Sequence, residues 1–102
     1  MATKSIITAD LSICYLCQKW WGFDTPATEV HHCMHGWANR KLADKYGLVV
    51  GLCSRHHNDQ SSGMAAHFNA EVDEELKRDA QIAFEKRHGH DRWMDLFGTN
   101  WR

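Results

Sequence analysis

The chain has 102 residues, a net charge of −1, 43% hydrophobic residues and a single proline. This length suits one domain, and the near absence of proline argues against a long disordered linker. No apolar run reaches the roughly 20 residues of a membrane span, and the N-terminus lacks a signal-peptide pattern. We therefore predict a cytoplasmic protein without a membrane partner, in which cysteines serve as metal ligands rather than in disulfides.

The first part of the chain is predicted to be a short lead followed by a zinc knuckle. Residues 1–11 form the lead, with an edge strand through Ile6 and Ile7. Cys14 and Cys17 then form a Cys-x-x-Cys pair. In a zinc knuckle, a tight turn with this spacing directs two thiolates at one ion.

Hydrophobic spacing and turn residues predict the elements that follow. They are a strand over 28–32, a helix over 37–46, a strand over 48–52, a short helix carrying His56 and His57, a helix over 72–87 and a helix over 91–97. The result is an α+β domain with three parts, namely the lead over 1–11, a metal-binding core over 12–68 and C-terminal helices over 69–102.

One group of residues has the composition of a structural zinc site. A Cys-x-x-Cys and a later Cys-x-x-His supply four ligands from Cys14, Cys17, Cys53 and His56. Such a closed tetrahedral set would supplement a small core through metal-coupled folding. The alternative is that these cysteines are small buried hydrophobic residues. Cys33, the fourth cysteine, is predicted to be buried and to bind no metal.

A second group consists of four histidines, His31, His32, His57 and His67. Neighbouring residues at the end of a strand point to opposite sides, so one imidazole of the first pair can bind a cation while the other faces a water molecule. A divalent cation and an imidazole base are the groups that phosphodiester hydrolysis requires. The alternative is that these histidines are structural or solvent-exposed.

The order of these motifs resembles the zinc-knuckle HNH endonucleases, which have a small ββα-metal (His-Me finger) core. The resemblance rests on the Cys-x-x-Cys, on Glu-Val-His-His over 29–32 and on Leu-Cys-x-x-His-His over 52–57. Further runs over 38–41, 45–48 and 67–69 are similar to small phage HNH proteins related to the RecA-dependent nuclease called recombination enhancement function. The whole resemblance covers roughly residues 12–98.

The resemblance implies a role for each histidine. His32 corresponds to the general base, and His31, His57 and His67 correspond to ligands of a catalytic Mg²⁺, Mn²⁺ or Zn²⁺ ion. The four-ligand Cys/His set corresponds to the structural zinc site, with a histidine in place of the usual fourth cysteine. The middle Asn of the motif has no match at the start of the second strand. Asn39 is the nearest candidate, and Asn58, which could instead cap the short helix, is another.

The resemblance also implies DNA as substrate, with a recombinase filament or another phage or host protein as a further partner. Residues 37–57 carry four bases and one acid, a local charge of +3. The predicted DNA-binding residues are Arg40, Lys41, Lys45, Arg55, Trp20 and Trp21. For the two tryptophans a position in the core is the alternative. The remaining tryptophans are predicted to be core residues: Trp37, Trp93 and Trp101.

Two functions therefore follow from the sequence. The first is a metal-dependent DNA endonuclease or nickase with a histidine base. The second is a catalytically inactive, zinc-stabilised module that binds DNA or protein on the same fold. The unmatched middle Asn and the near-neutral charge favour the second function, and the ordered histidines favour the first.

Overall fold

A computed structural model describes residues 4–102. Over this range the elements are α1 (Tyr15–Trp21), β1 (Glu29–His32), α2 (Trp37–Tyr46), β2 (Val49–Leu52), α3 (Ser54–His57), α4 (Ala70–His88) and α5 (His90–Phe97). A 3₁₀ turn, Gln60–Ser62, separates α3 from α4. The predicted α+β class is confirmed. From the strand predicted over 28–32 onward, each predicted element is found within two residues of its expected bounds. Among the described helices, none combines the length and the hydrophobicity needed to cross a membrane.

The two strands form an antiparallel pair, with His31 opposite Val50 and His32 opposite Val49. Helix α2 forms most of the connection between them. Every residue of β2 is buried, as its run of apolar residues requires. A single residue, Cys53, separates β2 from α3. The sheet therefore positions the paired histidines of β1 beside those of α3.

The N-terminal lead packs against this sheet without forming the predicted edge strand. Ile6 donates its N–H to the carbonyl of Gly47 (2.9 Å), which is the C-cap of α2 and has a left-handed φ of 72°. A Cβ at Gly51 would lie 2.1 Å from the carbonyl oxygen of Leu11. The prediction of a strand through Ile6 and Ile7 is therefore wrong, because the lead crosses over β2 and the α2 C-cap rather than extending the sheet. Residues 1–3 of the predicted lead lie outside the described part of the chain.

The core lies between the sheet and the C-terminal helices. The apolar stripe of α4 is buried, and the Phe84 ring packs edge-on against Trp93, with ring centroids 5.5 Å apart. Trp93 is fully buried and Trp101 partly buried, in line with their predicted core positions. Helix α4 begins at a side-chain cap, since the Asn69 side-chain oxygen accepts hydrogen bonds from the backbone N–H groups of Glu71 and Val72.

The core prediction for Trp37 is wrong, because 81% of this residue is exposed. Residues three and four apart share a helix face, so Trp37 lies on the same face as Arg40 and Lys41. Both of those residues are exposed. The face of α2 that packs inward includes Ala43, which is fully buried.

The knuckle also departs from the predicted tight turn, because Cys14 is the N-cap of helix α1 and Cys17 lies inside that helix.

Helix α1 is joined to α4 by polar contacts. Asp79 accepts a hydrogen bond from the Tyr15 hydroxyl (2.6 Å) and pairs with Lys19 (2.6 Å). Glu75 pairs with the same lysine (2.9 Å) and accepts from the indole of Trp20 (2.7 Å). These contacts fix the knuckle to the longest helix.

Candidate metal centres

Three thiols and one imidazole converge at the junction of the knuckle, β2 and α3. His56 Nδ1 lies 3.5 Å from the sulfur atoms of Cys14 and Cys17 and 3.4 Å from that of Cys53. The sulfur atoms of Cys17 and Cys53 are 3.8 Å apart. All four residues are buried, and they are the set that the sequence predicted.

These distances fit a tetrahedral zinc ion. Bonds of about 2.3 Å to sulfur and about 2.0–2.1 Å to nitrogen place tetrahedral ligand atoms about 3.8 Å apart for two sulfurs. The corresponding separation for a sulfur and a nitrogen is about 3.6 Å. The observed separations of 3.8 Å and 3.4–3.5 Å match both values. The four residues are therefore compatible with a zinc site.

The remaining thiol is of a different kind. Cys33 is fully buried, as predicted, and lies outside the four-residue cluster. Burial raises the pKa of the Cys33 thiol, so this residue is neutral at ordinary pH.

In the four-residue Cys/His cluster, burial raises the pKa of Cys17 to about 11. Because thiolates rather than thiols bind zinc, loading the cluster would release protons.

A second cluster is formed by His31 on β1, His57 on α3 and His67 in the loop before α4. Their ligand atoms all lie within 4.8 Å of one another. His57 Nε2 and His67 Nε2 are 3.1 Å apart. Two imidazole nitrogens bound to one ion at about 2.0–2.1 Å lie about 2.8–3.4 Å apart for bond angles from octahedral to tetrahedral. The arrangement therefore suits a shared cation.

His31 is the most buried member of this histidine cluster, with 1% of its surface exposed. Its Nε2 atom is buried and makes no hydrogen bond to the described residues. Burial and the nearby imidazoles of His35 and His57 lower its pKa to about 3, so the ring is neutral at physiological pH. A neutral imidazole with a free buried nitrogen is suited to bind a cation.

The adjacent residues His56 and His57 serve different clusters. His56 contacts the three thiols, and His57 contacts His67. Residues adjacent in a helix point about 100° apart, so the two rings diverge. Burial lowers the pKa of both rings.

A cavity of about 570 Å³ lies along β1 and the loop that follows it. It is lined by the three histidines of the cluster, by His32 and by seven further residues, among them His35, Trp37 and Arg40. The predicted base and the predicted cation ligands therefore line the same cavity.

A carboxylate lies beside each of three imidazoles around this cavity, and two of them, Asp44 and Asp73, form hydrogen bonds. Glu29 lies 3.2 Å from His57 Nδ1, and Asp44 lies 2.7 Å from His32 Nε2. A third pair joins Asp73 on α4 to His35 Nε2 at 2.5 Å. Carboxylates that hold the outer nitrogen of a ligating histidine fix its orientation and raise its basicity.

Sequence reasoning assigned no role to Glu29, His35, Asp44 or Asp73. For Glu29 a usable pattern was present, since it precedes His31 by two residues and therefore shares a strand face with it. Asp73 lies 38 residues beyond His35, and no local pattern connects them. His31, His35 and Asp73 also form a group whose ligand atoms lie within 4.8 Å of one another.

Asn39 does not reach the histidine cluster. It lies on α2, is partly buried and is not among the residues that line the cavity. Its predicted role as the middle Asn of the motif therefore has no geometric support.

The predicted DNA-binding residues fall into two groups. Arg40 lines the histidine cavity, and Lys41 and Lys45 extend from the same helix over the rings of Trp37 and Tyr46, respectively. The other three lie near the thiol cluster. The Trp20 and Trp21 rings contact His56, and Arg55 lines a separate cavity beside Trp21.

Comparisons of the chain with models of protein families, with curated proteins and with solved structures give no match. The features that bear on function are therefore the Cys/His cluster, the histidine cluster and the residues around them.

Proposed function

We propose that the protein is a metal-dependent DNA endonuclease or nickase of the HNH type. In this proposal β1, β2 and α3 form a ββα-metal core, and the Cys/His cluster binds structural zinc. The observation that carries the proposal is the convergence of His31, His57 and His67 in the cavity that His32 also lines. A divalent cation bound there would stabilise negative charge on the scissile phosphate and on the leaving oxygen.

His32 is the proposed general base. If its Nε2 atom carries the proton that is donated to Asp44, its Nδ1 atom is free to accept a proton from the attacking water. Asp44 fixes this tautomer and stabilises the imidazolium that forms during proton transfer. A positioned base of this kind contributes a factor of about 10²–10⁴ to the rate.

Positive charge near the cavity supports a polyanionic substrate. Arg40 lines the cavity, and Lys41 lies one residue further along α2. These side chains can contact phosphates on either side of the bond to be cleaved. A phage origin, a recombinase filament as partner and a cytoplasmic location stay predictions from the sequence.

A plasmid-nicking assay tests the proposal directly. Wild type and His32→Ala are incubated with supercoiled DNA in Mg²⁺, in Mn²⁺ and in EDTA, and the zinc content of each protein is measured. We expect divalent-dependent nicking by wild type and a loss of about 10²–10⁴-fold in the variant, with equal zinc content. Equal nicking by both proteins would reject His32 as the base.

A zinc-stabilised binding module without catalysis is the second candidate. The position of Asn39 favours it, because this residue is not among those that line the cavity. This candidate predicts one tightly bound zinc ion, DNA or protein binding, and no nicking under any of the three conditions.

A further inference from the structure

Trp37 is the most exposed large hydrophobic residue in the described part of the chain, at 81%. It lies at the first position of α2, directly after Gly36, and lines the same cavity as the histidine cluster. Val30, which is 46% exposed, lines this cavity as well. The mouth of the cavity is therefore partly apolar and aromatic, although its interior is lined with imidazoles.

Two cations accompany the indole. Lys41 Nζ lies 4.0 Å from the centroid of the Trp37 ring, within the range of a cation–π contact. Arg40 lines the same cavity as the indole and the imidazoles. Even with the lysine in place most of the Trp37 surface remains accessible, so a planar ligand can still stack on it.

An aromatic ring flanked by cations is the usual arrangement for binding single-stranded nucleic acid, in which bases stack and phosphates pair with Lys and Arg. In a duplex the base faces are already stacked, and extruding one base costs the free energy of its stacking and pairing. The chemistry of this cavity mouth therefore favours an unpaired nucleotide over a paired one.

We propose that Trp37, Arg40 and Lys41 form a nucleotide subsite that selects single-stranded DNA. The base of an unpaired nucleotide stacks on the indole of Trp37, and the two cations bind its phosphates. The chain then enters the cavity toward His32. The inference deepens the proposed function, because it names the form of DNA that the site accepts.

Fluorescence anisotropy with a short labelled thymidine oligonucleotide, and with a hairpin duplex of similar length, tests this subsite. The background is His32→Ala without added divalent cation, so that binding is measured independently of cleavage. We compare Trp37→Ala with Trp37→Phe and with Phe23→Ala as a matched control. Phe23 is 61% exposed and lines the separate cavity near the thiol cluster.

We expect Trp37→Ala to weaken single-strand binding by about fivefold to a hundredfold, the usual effect of losing one stacked base. Trp37→Phe should retain most of the affinity, and duplex binding should change by less than about twofold. An equal loss for both DNA forms, or a loss no larger than that of Phe23→Ala, would overturn the inference. Because Trp37 is exposed, circular dichroism and zinc content should be unchanged in the variant.

The result separates this inference from the proposed endonuclease activity. Nicking by wild type without a Trp37 effect on single-strand binding would reject the subsite alone. A selective Trp37 effect in a protein that nicks no DNA would support the subsite and reject the nuclease.

Discussion

His32 Nε2 lies 2.7 Å from Asp44 Oδ1, so the imidazole on β1 is held by a carboxylate on α2. We expect Asp44→Asn to lower the nicking rate by about ten- to a hundredfold, because an amide stabilises the imidazolium poorly and fixes the tautomer less firmly. Initial rates on supercoiled plasmid measure the effect. Zinc content should stay the same, and an unchanged rate would show that Asp44 does not support the base.

Glu29 lies 3.2 Å from His57 Nδ1, close enough for an ion pair but without a hydrogen bond. We expect Glu29→Gln to weaken cation binding at the histidine cluster by about ten- to a hundredfold. Calorimetric titration of Mn²⁺ into the zinc-loaded protein measures this affinity. Glu74→Gln, an exposed change on α4, is the control, and equal affinities in the two variants would contradict the prediction.

The two kinds of buried cysteine give a matched pair of variants. Cys53→Ala removes a ligand from the four-residue cluster, whereas Cys33→Ala removes a buried thiol outside it. We expect the first change to abolish stoichiometric zinc and to unfold much of the protein, since structural zinc contributes about 10–16 kcal/mol in small domains. The second change should retain one zinc ion per chain.

Elemental analysis together with circular dichroism distinguishes these outcomes. Full zinc content in Cys53→Ala would show that the ion is held elsewhere. Loss of zinc in Cys33→Ala would show that the buried thiol is a ligand after all.

Glu85 gives the protein a pH-dependent contribution to stability. Burial acts to raise the pKa of Glu85, but hydrogen bonds from Gln81, His90 and Arg102 lower it below its ordinary value. The folded state therefore binds this proton less readily than the unfolded state. The contribution is complete above the unfolded pKa of about 4.3 and is lost as the pH falls through the folded value.

Urea unfolding between pH 7 and pH 3 measures this contribution for wild type and Glu85→Gln. We expect the difference between their free energies of unfolding to be largest at neutral pH and to shrink below about pH 4.3. A difference that stays constant over this range would show that ionisation of Glu85 is not involved.

The elements that could be predicted are those with strong local patterns. Helix α2 begins and ends at its predicted residues because Gly47 provides a left-handed C-cap at the end of a regular apolar repeat. The apolar run of β2 and the buried stripe of α4 follow in the same way from side-chain spacing. The spacing of Cys14, Cys17, Cys53 and His56 likewise predicted a cluster that is found in the structure.

What could not be predicted depends on contacts between distant residues. Ile6 is apolar enough for a strand, but its N–H donates to the carbonyl of Gly47, a partner that local sequence does not reveal. Trp37 was expected in the core because it shares helical spacing with apolar residues, yet most of α2 is solvent-exposed. The pairing of His35 with Asp73 likewise requires the docking of α4.

A single peptide bond joins the two clusters, because His56 belongs to one and its neighbour His57 to the other. An ion bound at one cluster orders α3. The entropic cost of ordering α3 is then lower when an ion binds at the other cluster. By thermodynamic linkage the effect is reciprocal: zinc at the thiols should tighten cation binding at the imidazoles, and a cation at the imidazoles should tighten zinc binding at the thiols by the same free energy.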